Sequence, residues 1–423
     1  MLTNRLSAMQ KKVSKNDNRD TKISPNTIYT ILGGVVLLRL LMTFLPSYKV
    51  DMGGYRAWST LLARKGFTDF YDNFHVVYAP FYMYFLWMTG CIARIFSISI
   101  EAHEFLIKTW AVASDILGGY LIYLIGKKYG RDKEGFILGI VYAMNPAVFF
   151  NSSIWGQFDS IPATMLLAVI YCFNTRRSVA AAILFGISVL TKPQSVVLAP
   201  VVLILYFDRL SLKKVLLTLV GGISAYILIT LPFASWRSVF WVIEHYITSG
   251  GDYPYATANG FNFWTLVNGQ IQADNLPFLG LTYAKWSIIL LLFAALISIL
   301  AIVRNRHSAY AIYFTSYFIS FAVFMFGTRM HERYLFPAFI FLMVCILWNR
   351  RLWYVAGVLS LCHLINQWYI YSLSFKEIFW VSPQDTLGYI VAAITMLVMI
   401  DALYEMYKLI TLKKVCVTIS KNK

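Results

Sequence analysis

Apolar residues run in continuous stretches of roughly 20 positions, separated by short polar and basic segments, along almost the whole chain. A stretch of that length carries a helix across ~30 Å of hydrocarbon. Because the runs are continuous rather than alternating residue by residue, a β-barrel is disfavoured. The pattern predicts an all-α polytopic membrane protein with about twelve transmembrane helices in one domain over 27–411. The predicted spans are 27–46, 105–125, 135–151, 160–174, 178–190, 194–207, 213–232, 282–303, 308–326, 334–348, 352–371 and 386–411. Two of them, 178–190 and 194–207, are too short to cross alone and suggest broken helices beside a site. One further apolar run, 79–100, is interrupted by Pro80, Gly90 and Arg94. It reads as a re-entrant or juxtamembrane helix that enters one leaflet and returns, since irregular backbone at that depth is tolerated where it lines a cavity. The alternative is a full crossing that leaves the Lys127-Lys128 cluster outside.

Charge fixes the expected orientation. The chain is 59% hydrophobic and 13% charged, with a net charge of +17. Its Lys and Arg residues fall in short clusters between apolar runs, such as Lys127-Lys128, Arg176-Arg177, Lys213-Lys214 and Arg350-Arg351. That is topology signal, not a stripe for nucleic acid. It places the basic tails 1–26 and 412–423 in the cytoplasm and the loops at about 47–105 and 233–281 outside, in a plasma membrane. Cys91, Cys172, Cys345, Cys362 and Cys416 include no CxxC pair, so neither a zinc site nor a disulfide framework is expected. His75, His103, His245, His307 and His363 lack metal-ligand spacing and read as structural. The Gly-Gly pairs at 33–34, 118–119 and 221–222 match no nucleotide loop and suit close helix packing instead.

On this map the polar groups of chemical interest return to the outer face. They are Asp51 with Tyr55, Tyr78-Ala79-Pro80, the WGQFDS run (Trp155 to Ser160), the TKPQ run (Thr191 to Gln194), the NGFNFW run (Asn259 to Trp264) and the RMHERYLFP run (Arg329 to Pro337). Each alone is as well explained by a helix cap, a snorkelling lysine or an interfacial turn. Ionisable residues gathered at helix ends on one face are costly to keep and mark a site.

In this order the motifs resemble the bacterial relatives of the mannosyltransferases of GPI-anchor assembly, within the glycosyltransferase C superfamily of polyprenyl-phosphate-sugar-dependent enzymes. The resemblance covers roughly Asp51 to Pro337. It departs from the pattern at Val76-Val77, where relatives often carry a charged residue before the Tyr-x-Pro step. It implies an inverting transfer of a hexose, mannose among the candidates, from a polyprenyl-phosphate carrier to a glycan, lipid or protein acceptor at the outer face of the bilayer. A sugar on a polyprenyl phosphate leaves as a phosphate and needs no general acid, unlike the leaving alkoxide of a glycosidase. One base and cations for the phosphate suffice. Asp51 is the candidate base, and Lys192, Arg329, His331 and Arg333 are candidates for the phosphate. Tyr55, Tyr78, Trp155, Gln157, Asp159, Gln194, Asn259, Asn262, Trp264 and Glu332 have chemistry suited to sugar or acceptor. No cofactor is required on this reading. A divalent ion on Asp51, Asp159 and Glu332 is the alternative, since oxygen ligands suit Mg²⁺ or Mn²⁺. From another class, a transporter or flippase of lipid-linked sugars would need a path to both faces and often shows repeat symmetry, which this sequence lacks.

Overall fold

The computed structural model describes residues 25–411 apart from 75 and 209. The two basic tails, but for residues 25 and 26, lie outside the described residues, as do His75 and Cys416. The main helices are α1 Pro25–Met42, α2 Lys49–Lys65, α3 Pro80–Phe96, α4 Ile100–Lys128 and α5 Asp132–Ala143. A π-helical turn, Phe150–Trp155, precedes α6 Ser160–Asn174, α7 Ser178–Thr191, α8 Ala199–Phe207, α9 Leu212–Thr230 and the short α10 Trp241–Ser249. Then follow α11 Tyr283–Asn305, α12 Ala309–Phe326, α13 Phe336–Cys345, α14 Leu352–Ser374 and α15 Thr386–Thr411. A two-residue hairpin, Pro277–Phe278 antiparallel to Leu281–Thr282, leads into α11.

Among the described residues, α4, α9 with its extension to Phe233, α11, α12 and α15 are long and apolar enough to cross a bilayer, which makes five spans. A sixth is added if α5 and the stretch Pro146–Trp155, bent by 44°, form one span. This is fewer than the twelve predicted. The chain breaks where proline removes a backbone donor or polar residues intervene, leaving α1, α6, α7, α13 and Pro193–Phe207 as shorter apolar helices. The break at Lys192-Pro193 falls between the two segments that were too short to cross alone.

The run 79–100 differs from its expected dip. Pro80 sits in the first turn, where its missing N–H costs nothing, and the helix continues unbroken to Phe96. Gly90 lies against the backbone of Ser59, and a Cβ there would collide with the Ser59 carbonyl oxygen. The Ser59 hydroxyl donates to Leu86 O at 2.7 Å and Arg94 donates to Ala63 O at 2.9 Å. Thus α3 runs beside α2 in the same direction as one continuous helix, not as the broken loop that the interruptions suggested. Gly119 meets Gly139 and Gly126 meets Gly135, so α4 and α5 approach backbone to backbone. Of the paired glycines, only 118–119 has this role; nothing stands close to Gly33 or Gly34.

At the centre are α12 and α13, whose side chains are buried almost all round. By contrast, α9 leaves Leu212, Val220, Leu228 and most other apolar side chains exposed, the composition of a lipid-facing helix. The loop 327–335 therefore hangs between the two most enclosed helices of the bundle. That loop carries the predicted cations.

Candidate active site

Asp51 stands in the first turn of α2, where a carboxylate meets the positive end of the helix dipole. The π-helical turn is held to the start of α2 by Tyr48, whose N–H donates to Trp155 O at 3.1 Å and whose ring stacks on Trp155 at 4.3 Å. Gly156, at φ +94°, takes the left-handed conformation that turns the chain sharply after Trp155. Both Trp155 Nε1, at 2.7 Å, and Gln157 Nε2, at 2.5 Å, donate to Asp51 Oδ2. No described residue bonds to Oδ1, and Asp51 lines a cavity of about 550 Å³. On the far side of Gln157, Tyr55 donates to Oε1 at 2.8 Å.

The facing wall comes from the loop between α12 and α13. Arg329, at φ +63°, is anchored by its backbone N–H on Tyr255 O and by its guanidinium on Asp274 and Gly250 O. His331 packs edge-on between Tyr253 and Tyr334. Arg333 donates to Glu332 Oε1 at 2.6 Å, while its Nε has no hydrogen-bond partner among the described residues. All three basic residues line the cavity with Asp51, together with Trp58, Tyr78, Gln194 and Tyr253. Burial holds the His331 imidazole well below its ordinary range, and Arg333 and Lys192 push it the same way. His331 is therefore a neutral hydrogen-bonding group here, and only the arginines bring charge to this wall. Burial raises the Glu332 carboxyl while Arg333 pulls it back.

Lys192 takes a different place from the one the sequence suggested. Its ammonium is paired with Asp159 and lies over the Tyr334 ring at 4.8 Å. Asp159 also accepts from Asn151 at 3.2 Å. Lys192 and Asp159 line a narrow crevice of about 30 Å³ that shares Gln194, Met330 and Tyr334 with the main cavity. They neutralise each other before any ligand enters.

Asn259, Asn262 and Trp264 are not brought to the cavity. Asn259 donates to Phe379 O and accepts from Gln270 and the N–H of Val381. Asn262 caps the one-turn helix Phe263–Leu266 and donates to Phe324 O, and Trp264 donates to Phe326 O. Their polar atoms are spent on backbone, so they shape the fold of this segment rather than a sugar site. Trp155 and Gln157 are fully buried and serve Asp51 directly. Nor do Asp51, Asp159 and Glu332 form one oxygen set, since Asp159 is tied to Lys192 and Glu332 to Arg333. Among the described residues no three acidic, His or Cys side chains cluster for a metal.

Behind the site lies a buried network that the motifs did not reveal. Arg39 on α1 and Asp115 on α4, both fully buried, pair at 2.5 Å. Arg39 also donates to Ser152 at 2.6 Å, Ser153 at 2.9 Å and Ala143 O at 2.5 Å, clamping the π-helical turn. Opposite charges inside two apolar runs were the available signal.

Two solved structures show the range of similarity. ArnT from Cupriavidus metallidurans, bound to undecaprenyl phosphate, aligns at TM-score 0.49 with 12% identity, over 92% of this chain and 77% of ArnT. An oligosaccharyltransferase from Archaeoglobus fulgidus, tethered to an acceptor peptide, aligns at TM-score 0.43 with 17% identity, over 90% of this chain and 54% of its own. The chain thus spans about half of that second protein. Among curated proteins none matches significantly. The resemblance to proteins of GPI assembly has a counterpart in a family model: residues 59–253, a little under half of the chain, match the model of the GPI transamidase subunit PIG-U, and over that stretch the chain is similar to it.

Proposed function

We propose that the chain is an inverting membrane glycosyltransferase that moves a hexose, mannose among the candidates, from a polyprenyl-phosphate carrier to an acceptor hydroxyl on the extracytoplasmic face. The observation that carries this reading is the arrangement around Asp51. One carboxylate oxygen is held by Trp155 and Gln157, and the other is left toward a cavity whose facing wall bears Arg329 and Arg333. The acceptor oxygen attacks the anomeric carbon as its proton passes to Asp51 Oδ1. The bond to the carrier phosphate breaks on the opposite face, and the electron pair leaves on the phosphate, which the arginines receive. Planar guanidinium groups suit that anion because they bind two of its oxygens at once. On this reading the carrier's tail comes from the bilayer beside the helices broken at Lys192-Pro193.

A second reading is favoured by the family match, since PIG-U is described as a transamidase subunit. In that case the cavity holds a sugar-bearing lipid for a partner and transfers nothing. The transporter reading stays weaker, because Asp51, Arg329 and Arg333 face a single cavity and the sequence shows no internal repeat.

The test uses the protein in lipid nanodiscs with a panel of polyprenyl-phosphate hexoses, beside Asp51→Asn. Transfer or slow donor hydrolysis that Asp51→Asn abolishes, with donor binding retained, is the expected result. Turnover unchanged in Asp51→Asn would remove Asp51 as the base. Donor binding without turnover across the hexose panel, in both proteins, would favour the recognition subunit.

A further inference from the structure

We infer that Tyr55 is a positioning residue, acting through the Gln157 amide to hold the Asp51 carboxylate in one orientation; this rests on the reading of Asp51 as the base. A glutamine amide is two-faced, with a donor NH₂ and an acceptor oxygen on opposite edges of one plane. Facing a carboxylate oxygen, only the NH₂ edge is attractive. Asp51 therefore selects that edge, and a donor on the opposite, acceptor edge holds the plane of the amide in place.

Tyr55 is that donor. It lies one helical turn beyond Asp51 on α2, so the two side chains share a face. Its hydroxyl donates to Gln157 Oε1 at 2.8 Å and lies 3.2 Å from the Tyr78 hydroxyl. A tyrosine has a single proton to give. With that proton on Gln157, Tyr78 becomes the donor to Tyr55, and the chain runs in one sense: Tyr78, Tyr55, Gln157, Asp51. Tyr55 and Gln157 are buried to within 1% of complete, so no water replaces a lost bond there. The second donor to Oδ2, the indole of Trp155, has no acceptor edge and cannot reverse. Together the two donors saturate Oδ2 and leave Oδ1 as the only edge for an acceptor proton. Tyr55, a sugar-binding candidate from its sequence position, thus has its hydroxyl committed to the carboxylate's support.

Tyr55→Phe removes one oxygen and keeps the ring that packs against Tyr78, Tyr82 and Phe158. The acceptor edge of Gln157 then has no donor, the amide plane is held from the Asp51 side alone, and Trp155 becomes the one rigid donor to the carboxylate. The experiment is an infrared difference measurement on the full chain in nanodiscs. Subtracting Asp51→Asn isolates the two carboxylate stretching bands of Asp51, whose splitting reports how unequally its oxygens are bonded. The same subtraction is made in Tyr55→Phe, in Gln157→Leu and in the double variant. We expect Tyr55→Phe and Gln157→Leu to change the splitting alike, and the double variant to add nothing, since both act through one bond chain. In turnover, kcat falls about 10- to 100-fold with donor KM unchanged, the scale of a misplaced reacting group. An unchanged splitting in Tyr55→Phe, or a double variant equal to the sum of two separate effects, overturns the proposal. A changed splitting in a protein that transfers no sugar sinks the glycosyltransferase reading and leaves the positioning role standing.

Discussion

Neutralising one member of the Arg39–Asp115 pair should damage the protein at least as much as neutralising both. Arg39 is fully buried and makes four bonds, to Asp115, Ser152, Ser153 and Ala143 O. In Arg39→Met those acceptors lose their donor, and Asp115 keeps only Ser152 at 2.5 Å, its other oxygen having no partner among the described residues. Removing one partner of a buried pair costs ~3–5 kcal/mol, because an uncompensated charge stays behind. Asp115→Leu should cost a similar amount by stranding the guanidinium. In Arg39→Met/Asp115→Leu no charge remains, and apolar replacement of a whole buried pair is often close to neutral. The loss of bonds at Ser152, Ser153 and Ala143 persists, each worth about 1 kcal/mol. The double variant should therefore recover about half or more of the loss summed over the single variants. Thermal unfolding in nanodiscs, followed by tryptophan fluorescence for all four proteins, measures this coupling. If the double variant loses as much as the two single variants together, the pair is not coupled and the clamp is misread.

Arg333→Lys keeps the charge but loses the planar fork, and should lower kcat/KM for a polyprenyl-phosphate donor about 10- to 100-fold in steady-state assays. Gly90→Ala should destabilise by ~1–3 kcal/mol, read as a lower midpoint in thermal unfolding, because the methyl group would have to displace the Ser59 carbonyl. The depressed His331 predicts an acid-side loss of stability. The unfolded chain protonates this histidine as pH falls below ~6.5 and the folded chain resists, so up to about 1.4 kcal/mol is lost per pH unit below that point until the folded pKa is reached. His331→Gln should flatten that part of a stability–pH curve, and an unaltered slope would remove His331 as its source.

Chain order and residue type made much of this molecule legible. Long apolar runs gave the helices, and the HERY segment was recognisable as a cation-bearing turn between two of them. Asp51 stood out as the carboxylate that opens the outer loop at about 47–105, although the helix α2 in whose first turn it stands was not predicted. What periodicity does not encode is where a side chain spends its polar atoms. Asn259 and Asn262 have amides as apt for a hexose as those of Gln157, yet local turns direct them onto backbone carbonyls and N–H groups. Lys192 looked like a phosphate ligand because its partner Asp159 lies 33 positions away and is met only in the folded chain. A break in the run 79–100 was expected because Pro80, Gly90 and Arg94 interrupt it. A tertiary contact overrode it, since the side chain missing at Gly90 is what lets α2 come close. Arg39 and Asp115 were passed over because each sits singly in an apolar run, and neither run announces its partner.

The π-helical turn at Phe150–Trp155 has an evolutionary corollary. Such a turn holds one residue more than an α-helical turn over the same stretch, as a single inserted codon would leave it. Deleting one residue between 150 and 155 would let the segment relax into regular helix without disturbing the bundle. Only the few residues between the deletion and the start of α6 would rotate, by ~100°, one residue's share of a 3.6-residue turn. Trp155 would swing off Asp51 and take Gln157 with it. Homologous chains that differ by this one residue would then share a fold and a lipid-facing surface while differing in whether the carboxylate is held at all. An alignment gap of one position before the WGQ tripeptide is thus a marker for sorting chains that hold this carboxylate from chains that do not.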